Sequence, residues 1–190
     1  MSFALGIDVG GTKVLGGVVD ELGAIVKTSR RDTPREGGSA LTQTIAEVAQ
    51  DLIAEFDVEA VGVSAAGFIS SDRKTMLATP NIAGWNGVRL TDQLEDLIGR
   101  KVVLENDANS AAWGEKKFGA GKDFDTVIML TVGTGLGGGL IVNNQLYRGA
   151  YGIGAEFGHT RAVPEGHLCG CGIRGCFEQY ASGNALLRHA

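Results

Sequence analysis

Aromatic residues are scarce in this chain, at 6%, positive charge is in deficit, and only three cysteines occur in 190 residues. The acidic balance, a net charge of −5, leaves no basic stripe to track a phosphate backbone. Nucleic acid is therefore not an expected partner, and any small anion must be gripped locally. The N-terminus lacks a basic leader and a small-residue cleavage site and enters an apolar strand almost at once, so a cytoplasmic location is expected. Long uncharged runs are also few. The one from Thr126 to Tyr147 has the length of a bilayer span. Gly133, Gly135, Gly137, Gly138 and Gly139 interrupt it, and Asn143, Asn144 and Gln145 close it. Strand, glycine turn, strand describes it better, and no membrane partner is expected. What remains is the composition of a globular protein with a real core.

Residues 3–9 (FALGIDV) and 13–20 (KVLGGVVD) are short β-rich runs joined by Gly10, Gly11 and Thr12, and AIVKTSR follows a turn at Glu21 to Gly23. They predict an antiparallel meander. Ser39 then caps a helix running through Phe56, with Leu41, Ile45, Val48, Leu52 and Ile53 at roughly helical spacing. A strand from Val58 to Ser64, a loop rich in Gly and Asn, a helix from Asp92 to Ile98, the strand KVVLEND and a helix from Ala108 to Phe118 complete an α/β unit with a mixed sheet. Slid so that Val9-Gly10 falls on Val132-Gly133, the chain also aligns Gly16 with Gly139 and Val18-Val19-Asp20 with Ile141-Val142-Asn143, an internal repeat of strand, glycine turn, strand. The expected division is an N-terminal α/β domain over residues 1–118 and the start of a C-terminal domain over 119–190. A second copy as long as the first needs many more residues than follow, so the second domain is expected to be incomplete.

Four constellations carry chemistry. Asp8-Val9-Gly10-Gly11-Thr12-Lys13 ends the first strand. Paired glycines let backbone N–H groups close on an anion, and a carboxylate beside bound phosphate is where Mg²⁺ would sit. The spacing is neither that of a Walker A loop nor that of a Rossmann turn, and a plain hairpin turn is the alternative. The loop from Gly133 through Thr134, Gly135 and Leu136 to Gly139 is richer in glycine than a hairpin needs, which suggests close approach to its backbone. Two such loops facing across a cleft would take a nucleotide's phosphates. Glu105-Asn106-Asp107-Ala108-Asn109 stands where a strand gives way to a helix, the place where α/β sheets bind ligands. There Asp107 is a candidate base that takes a hydroxyl proton as oxygen attacks phosphorus, or else Asp107 or Asn106 is a helix cap. Lastly, Cys169, Cys171 and Cys176 fall within eight positions, with His159 and His167 upstream. In a reducing compartment such a cluster favours metal over disulfide, and three thiolates with one imidazole make a closed tetrahedral zinc site. Buried unpaired thiols or a redox pair are the alternatives. Spacing does not choose between the two histidines.

Together GIDVGGTK, ENDANSAAWGE, TVGTGLGGGL and GAEFGHTRAVPEGHLCGCGIRGCFEQYASG resemble the ROK family of sugar kinases, its bacterial glucokinases most of all, over nearly the whole chain. The resemblance implies an actin-like ATPase (ribonuclease H-like) fold of two domains. It also implies phosphorylation of glucose at the 6-hydroxyl, with ATP as donor and Mg²⁺ on the phosphates. Asp107 is then the general base. Asn106, Glu156, His159 and Glu178 match sugar-binding positions, with the backbone near Gly67 and the side chain of Asn81 as further contacts. Gly10, Gly11, Thr12, Gly133, Thr134 and Gly135 resemble the nucleotide phosphate loops, with Asp8 and Lys13 beside them. His159 would hold zinc through one nitrogen and meet a sugar hydroxyl through the other, which selects it over His167. Zinc, held also by Cys169, Cys171 and Cys176, is then structural, fixing the loop that carries Glu156, His159 and Glu178. The full-length enzyme is expected to be a homodimer, and the family's adenosine-binding segment lies beyond Ala190. The alternatives are a kinase for N-acetylmannosamine, fructose or allose, polyphosphate as donor, a non-catalytic sugar-binding fragment, or a ROK-type repressor. The repressor needs a helix-turn-helix domain ahead of Phe3.

Overall fold

The computed structural model describes residues 2–79 and 82–190, so the Asn81 expectation lies outside the described residues. The chain forms two compact units, residues 1–107 and 108–190. The sequence expectation drew that line at 118, after the helix that opens the second unit.

In the first unit β1 (Phe3–Val9), β2 (Lys13–Val19) and β3 (Ile25–Asp32) form the antiparallel meander, followed by α1 (Gly38–Ile53), β4 (Val58–Ala65), a small hairpin of β5 (Phe68–Ile69) and β6 (Met76–Ala78), α2 (Leu90–Ile98) and β7 (Val102–Asn106). The sheet order is β3-β2-β1-β4-β7, with β4 parallel to β1 and β7 parallel to β4. Alternation puts Leu5, Ile7, Val9, Val14 and Val18 inside, against Leu41, Ile45, Val48 and Leu52 of α1. Gly16 lets helix and sheet meet, because a Cβ there would fall 2.6 Å from Val48 Cγ1. Buried Trp85 locks the start of α1 by donating from Nε1 to Gly38 O at 3.1 Å and Thr42 Oγ1 at 3.2 Å.

That start departs from the sequence expectation. Ser39 lies inside the first turn, and the N-cap is Gly37, at φ 62° and with no side-chain cap. Tertiary packing decides it. Gly38 N donates to Ala83 O at 2.8 Å, and a Cβ at Gly37 would sit 2.6 Å from the same oxygen. A left-handed glycine in contact with a distant carbonyl outweighs a local serine cap.

The second unit opens on α3 (Asp107–Phe118, its first residue in unit one) and continues with β8 (Val127–Val132), β9 (Leu136–Val142), β10 (Gln145–Leu146), a 3-10 turn at Phe157–His159, α4 (Glu178–Ala181) and α5 (Gly183–His189). Its sheet order, β10-β9-β8, repeats β3-β2-β1, with antiparallel pairing in both. The hairpins differ by one residue: Val9 pairs with Val14, whereas Val132 pairs with Leu136. Asn143 and Asn144 turn β9 into β10 with positive φ values of 50° and 63°, the backbone a tight hairpin requires. The long uncharged run is therefore sheet, and among the described residues no helix is long and apolar enough to cross a membrane.

Candidate active site

Three strand ends of the first unit matter for chemistry. β1 ends beside Asp8, β4 lies next to it, and β7 delivers Asn106 and then Asp107, which opens α3. Asp107 is exposed and Asn106 half-buried. Asn106 Nδ2 donates to Gly67 O at 3.1 Å, so these two expected sugar contacts meet each other. The Asp8 carboxyl is held above the ordinary carboxylate range, first by the protein mass around it, then by the negative charge of Asp107, against the opposing pull of Lys13. Asp8 still has an open surface, so this push is moderate. A carboxyl that feels both a second acidic side chain and a lysine suits a site that handles a cation, a phosphate and a proton.

The first glycine loop is tied down from behind. Gly10 N donates to Lys13 O at 2.9 Å, Thr33 Oγ1 donates to Gly10 O at 2.7 Å, and Thr33 N donates to Thr12 O at 3.1 Å. Thr33 escaped the sequence reading. Its signal is weak, one threonine just past the strand that pairs with Lys13.

In the second loop, Gly133 N donates to Gly135 O at 3.0 Å, and Gly133 O accepts from Gly183 N at 2.7 Å. Leu136 N donates to Glu178 Oε2 at 3.0 Å. The glycine wealth has a cause other than a ligand. At Gly139 a Cβ would overlap Ala112 Cβ, and at Gly138 it would lie 2.5 Å from Ala155 O. The protein's own helix and loop approach that part of β9 from its two sides. Gly133 is different, since a Cβ there would meet nothing within 4 Å.

The same unit gathers four side chains that could hold a metal. The ligand atoms of His159, Cys169, Cys171 and Cys176 all fall within 4.8 Å of one another. Cys169 Sγ stands 3.5 Å from His159 Nδ1, and the Cys171 and Cys176 sulfurs are 3.5 Å apart. A tetrahedral zinc ion with bonds of about 2.3 Å to sulfur and about 2.0 Å to nitrogen needs ligand separations of about 3.5–3.8 Å, so the donor set fits it. All three cysteines are unpaired by disulfide, and Cys169 and Cys176 are buried. Burial, and then the neighbouring Cys171 and Cys169, push the Cys176 thiol up to about 12. Burial also raises Cys171, but hydrogen bonds from the Ile173 backbone and from the other two thiols outweigh it and leave Cys171 below the ordinary thiol range. Three thiolates this close would repel one another, so the ionised form that binds metal is stable here only with a cation beside it. His167 is not in the cluster; its ring packs on Tyr180 and His189, with centroids 5.5 and 6.1 Å away.

Around the cluster the backbone makes a knuckle of tight turns. Cys169 N donates to Ile173 O at 2.8 Å, Gly175 N to His167 O at 2.9 Å, and Ala162 N to Gly175 O at 2.8 Å. Glu156 precedes the 3-10 turn that carries His159, and His159 N donates to Glu156 O at 3.0 Å. Glu178 spans loop and knuckle: its Oε1 lies 3.7 Å from Cys169 Sγ while Oε2 holds Leu136 N. Within the second unit, Glu156, His159, Glu178 and the loop from Gly133 to Gly135 thus form one connected piece.

Comparison with known proteins extends this picture. The chain is 50% identical over its full 190 residues to a glucokinase of Streptomyces coelicolor and 38% identical over 188 residues to an N-acetylmannosamine kinase of Yersinia pseudotuberculosis, covering 59% and 63% of those proteins. The chain therefore spans less than two thirds of the curated relatives it matches. The crystal structure of a ROK family glucokinase from Streptomyces griseus in complex with glucose and AMPPNP superposes with a TM-score of 0.89 at 51% identity, over 98% of this chain and 59% of that one. Matched to the ROK family from residue 4 to residue 190, and carrying the cysteine-histidine knuckle and paired carboxylates at the positions described, the chain belongs to that family.

Proposed function

We propose that these residues serve an ATP-dependent sugar kinase that phosphorylates glucose at its 6-hydroxyl, a glucokinase. The observation that carries the reading is Asp107 at the end of β7, close enough to Asp8 at the end of β1 for its charge to act on that carboxyl. In the proposal Asp107 accepts the 6-hydroxyl proton as the oxygen attacks the terminal phosphorus of ATP, and the leaving group is ADP. Asn106, Glu156, His159 and Glu178, with the backbone at Gly67, hold the sugar. Asp8, Gly10, Gly11, Thr12, Lys13, Gly133, Thr134 and Gly135 take the phosphates, where Mg²⁺ would neutralise charge. Positioning supplies most of the acceleration, because loose phosphoryl transfer leaves little covalent work to the protein.

The fit of the four ligand atoms supports zinc at His159, Cys169, Cys171 and Cys176, closed to water and structural. The order of three antiparallel strands followed by two parallel ones supports an actin-like ATPase fold. A cytoplasmic, homodimeric full-length enzyme belongs to the same reading, and sedimentation of that enzyme checks the dimer.

A second reading keeps the chemistry and changes the sugar, since an N-acetylmannosamine kinase is 38% identical. One test separates them: coupled assays over a panel of sugars, with ATP or polyphosphate as donor. They are run on this chain and on a chimera in which it replaces the matching stretch of the Streptomyces coelicolor relative. Glucose with ATP is expected to give the highest kcat/KM; preference for N-acetylmannosamine, or no transfer in either protein, overturns the glucokinase reading.

A further inference from the structure

Resting on the reading of Asn106 and Asp107 as substrate-facing groups, we infer that Arg73 is a positioning residue that aims the end of β7 through Glu105. Glu105 precedes those two residues and is buried, its side chain only 11% exposed. A carboxylate so placed needs compensation. Arg73 supplies it from the turn of the β5–β6 hairpin, its Nη2 lying 3.3 Å from Glu105 Oε2. Arg73 Nε also donates to Leu104 O at 3.3 Å, and the other carboxylate oxygen, Glu105 Oε1, accepts from Asn106 N at 3.1 Å. One guanidinium thereby ties together a carbonyl and, through Glu105, an amide at the end of the strand that leads into Asp107.

The same hairpin grips that strand a second time, where Gly67 O accepts from Asn106 Nδ2 at 3.1 Å. Backbone and side chain of Asn106 are thus both referred to one small element. That element is itself set by tight turns. Arg73 takes a left-handed φ of 60°, its N–H donates to Ser70 O at 2.8 Å, and Ser70 N donates to Thr75 O at 3.0 Å. Ser70 Oγ accepts from Thr75 N at 3.0 Å. Freed from Arg73, the Glu105 carboxylate is expected to rotate toward water and release Asn106 N, which loosens the two residues that face substrate without removing any group from the site.

The test compares wild type with Arg73→Met, Arg73→Lys and Glu105→Gln in the 190-residue chain, by hydrogen exchange of backbone amides and by calorimetric titration with glucose. Arg73→Met is expected to speed exchange at Asn106 by about tenfold or more while amides of α1 are unchanged, since local opening differs from global unfolding. Glucose affinity is expected to fall by about tenfold, the worth of one charge-assisted bond. Arg73→Lys, which keeps the charge but not the bond to Leu104 O, is expected to recover part of both effects; a role in bulk stability alone would move the α1 amides too. Unchanged exchange at Asn106 in folded Arg73→Met overturns the inference. If that variant does not fold, Arg73→Lys and Glu105→Gln decide it by the same comparison. Absence of glucose binding by wild type contradicts the sugar-kinase reading instead, and the exchange result still decides whether Arg73 positions Asn106.

Discussion

Chelating metal from the His159, Cys169, Cys171 and Cys176 cluster is expected to melt one segment and spare the first unit. From residue 160 to residue 178 the buried residues are Cys169, Gly175 and Cys176 alone. Two small buried side chains return at most about 1.5–3 kcal/mol each, whereas ordering the backbone costs about 1–2 kcal/mol for every residue fixed. Turn hydrogen bonds add only about 1 kcal/mol net apiece. The deficit points to metal bonds, which in small structural zinc sites contribute about 10–16 kcal/mol. The linkage seen in solution is smaller: free zinc at about a hundred times its Kd stabilises by about 2.7 kcal/mol. That is a rise of roughly 10–20 °C in Tm for a unit of this size. The assay is metal analysis, expected to give about one zinc per chain, followed by hydrogen exchange before and after chelation. The amides to watch are Ala162, Cys169 and Gly175, donors to Gly175 O, Ile173 O and His167 O. They are expected to lose protection while those of Ile45 and Val48 in α1 keep theirs. Protection unchanged after the metal is gone, or no metal in freshly purified protein, refutes the reasoning.

Asp8→Asn is expected to stabilise the chain near pH 7. Its carboxyl is raised above the unfolded value, so its favourable contribution is present in acid and is lost as pH rises through the folded pKa. The gain in Tm should vanish toward about pH 3, and since Asp8 stays open to water it is below about 1 kcal/mol; a lower Tm for the variant near pH 7 contradicts this. Gly139→Ala is expected to destabilise by about 1–3 kcal/mol, because its Cβ would overlap Ala112 and lie 3.0 Å from Ala108 O in a helix that cannot easily yield. Gly133→Ala, with open space around it, is expected to stay within about 0.5 kcal/mol. Denaturant midpoints compare the two.

Much of the first unit was legible because period-two alternation and glycine turns are local signals, and β1 spans the same Phe3–Val9 run that the sequence marks. The repeat was legible for the same reason. The one-residue slip between the hairpins was not, since register depends on pairing. Ser39 misled because a local cap was weighed without the Ala83 carbonyl that Gly37 and Gly38 meet. The glycines of β9 announce a close approach to their backbone, but only the structure shows that what approaches there is Ala108, Ala112 and the segment at Ala155 and Phe157. Spacing was enough to mark the cysteines, but separating His159 from His167 on physical grounds required the ring nitrogen 3.5 Å from Cys169. Thr33 left only a weak trace in sequence and Arg73 none, because each acts on a segment more than twenty residues away in the chain.

Asp107 as the base that receives the sugar proton is most directly tested by following phosphorus-31 NMR of ATP and glucose with wild-type protein and with Asp107→Asn, in the chain and in the Streptomyces coelicolor chimera. The chimera with Asp107 intact is expected to form glucose 6-phosphate, and its Asp107→Asn variant to lose about 10²–10⁴-fold in kcat while still binding glucose. Near wild-type turnover by Asp107→Asn, or a phosphate ester at any other hydroxyl, contradicts it.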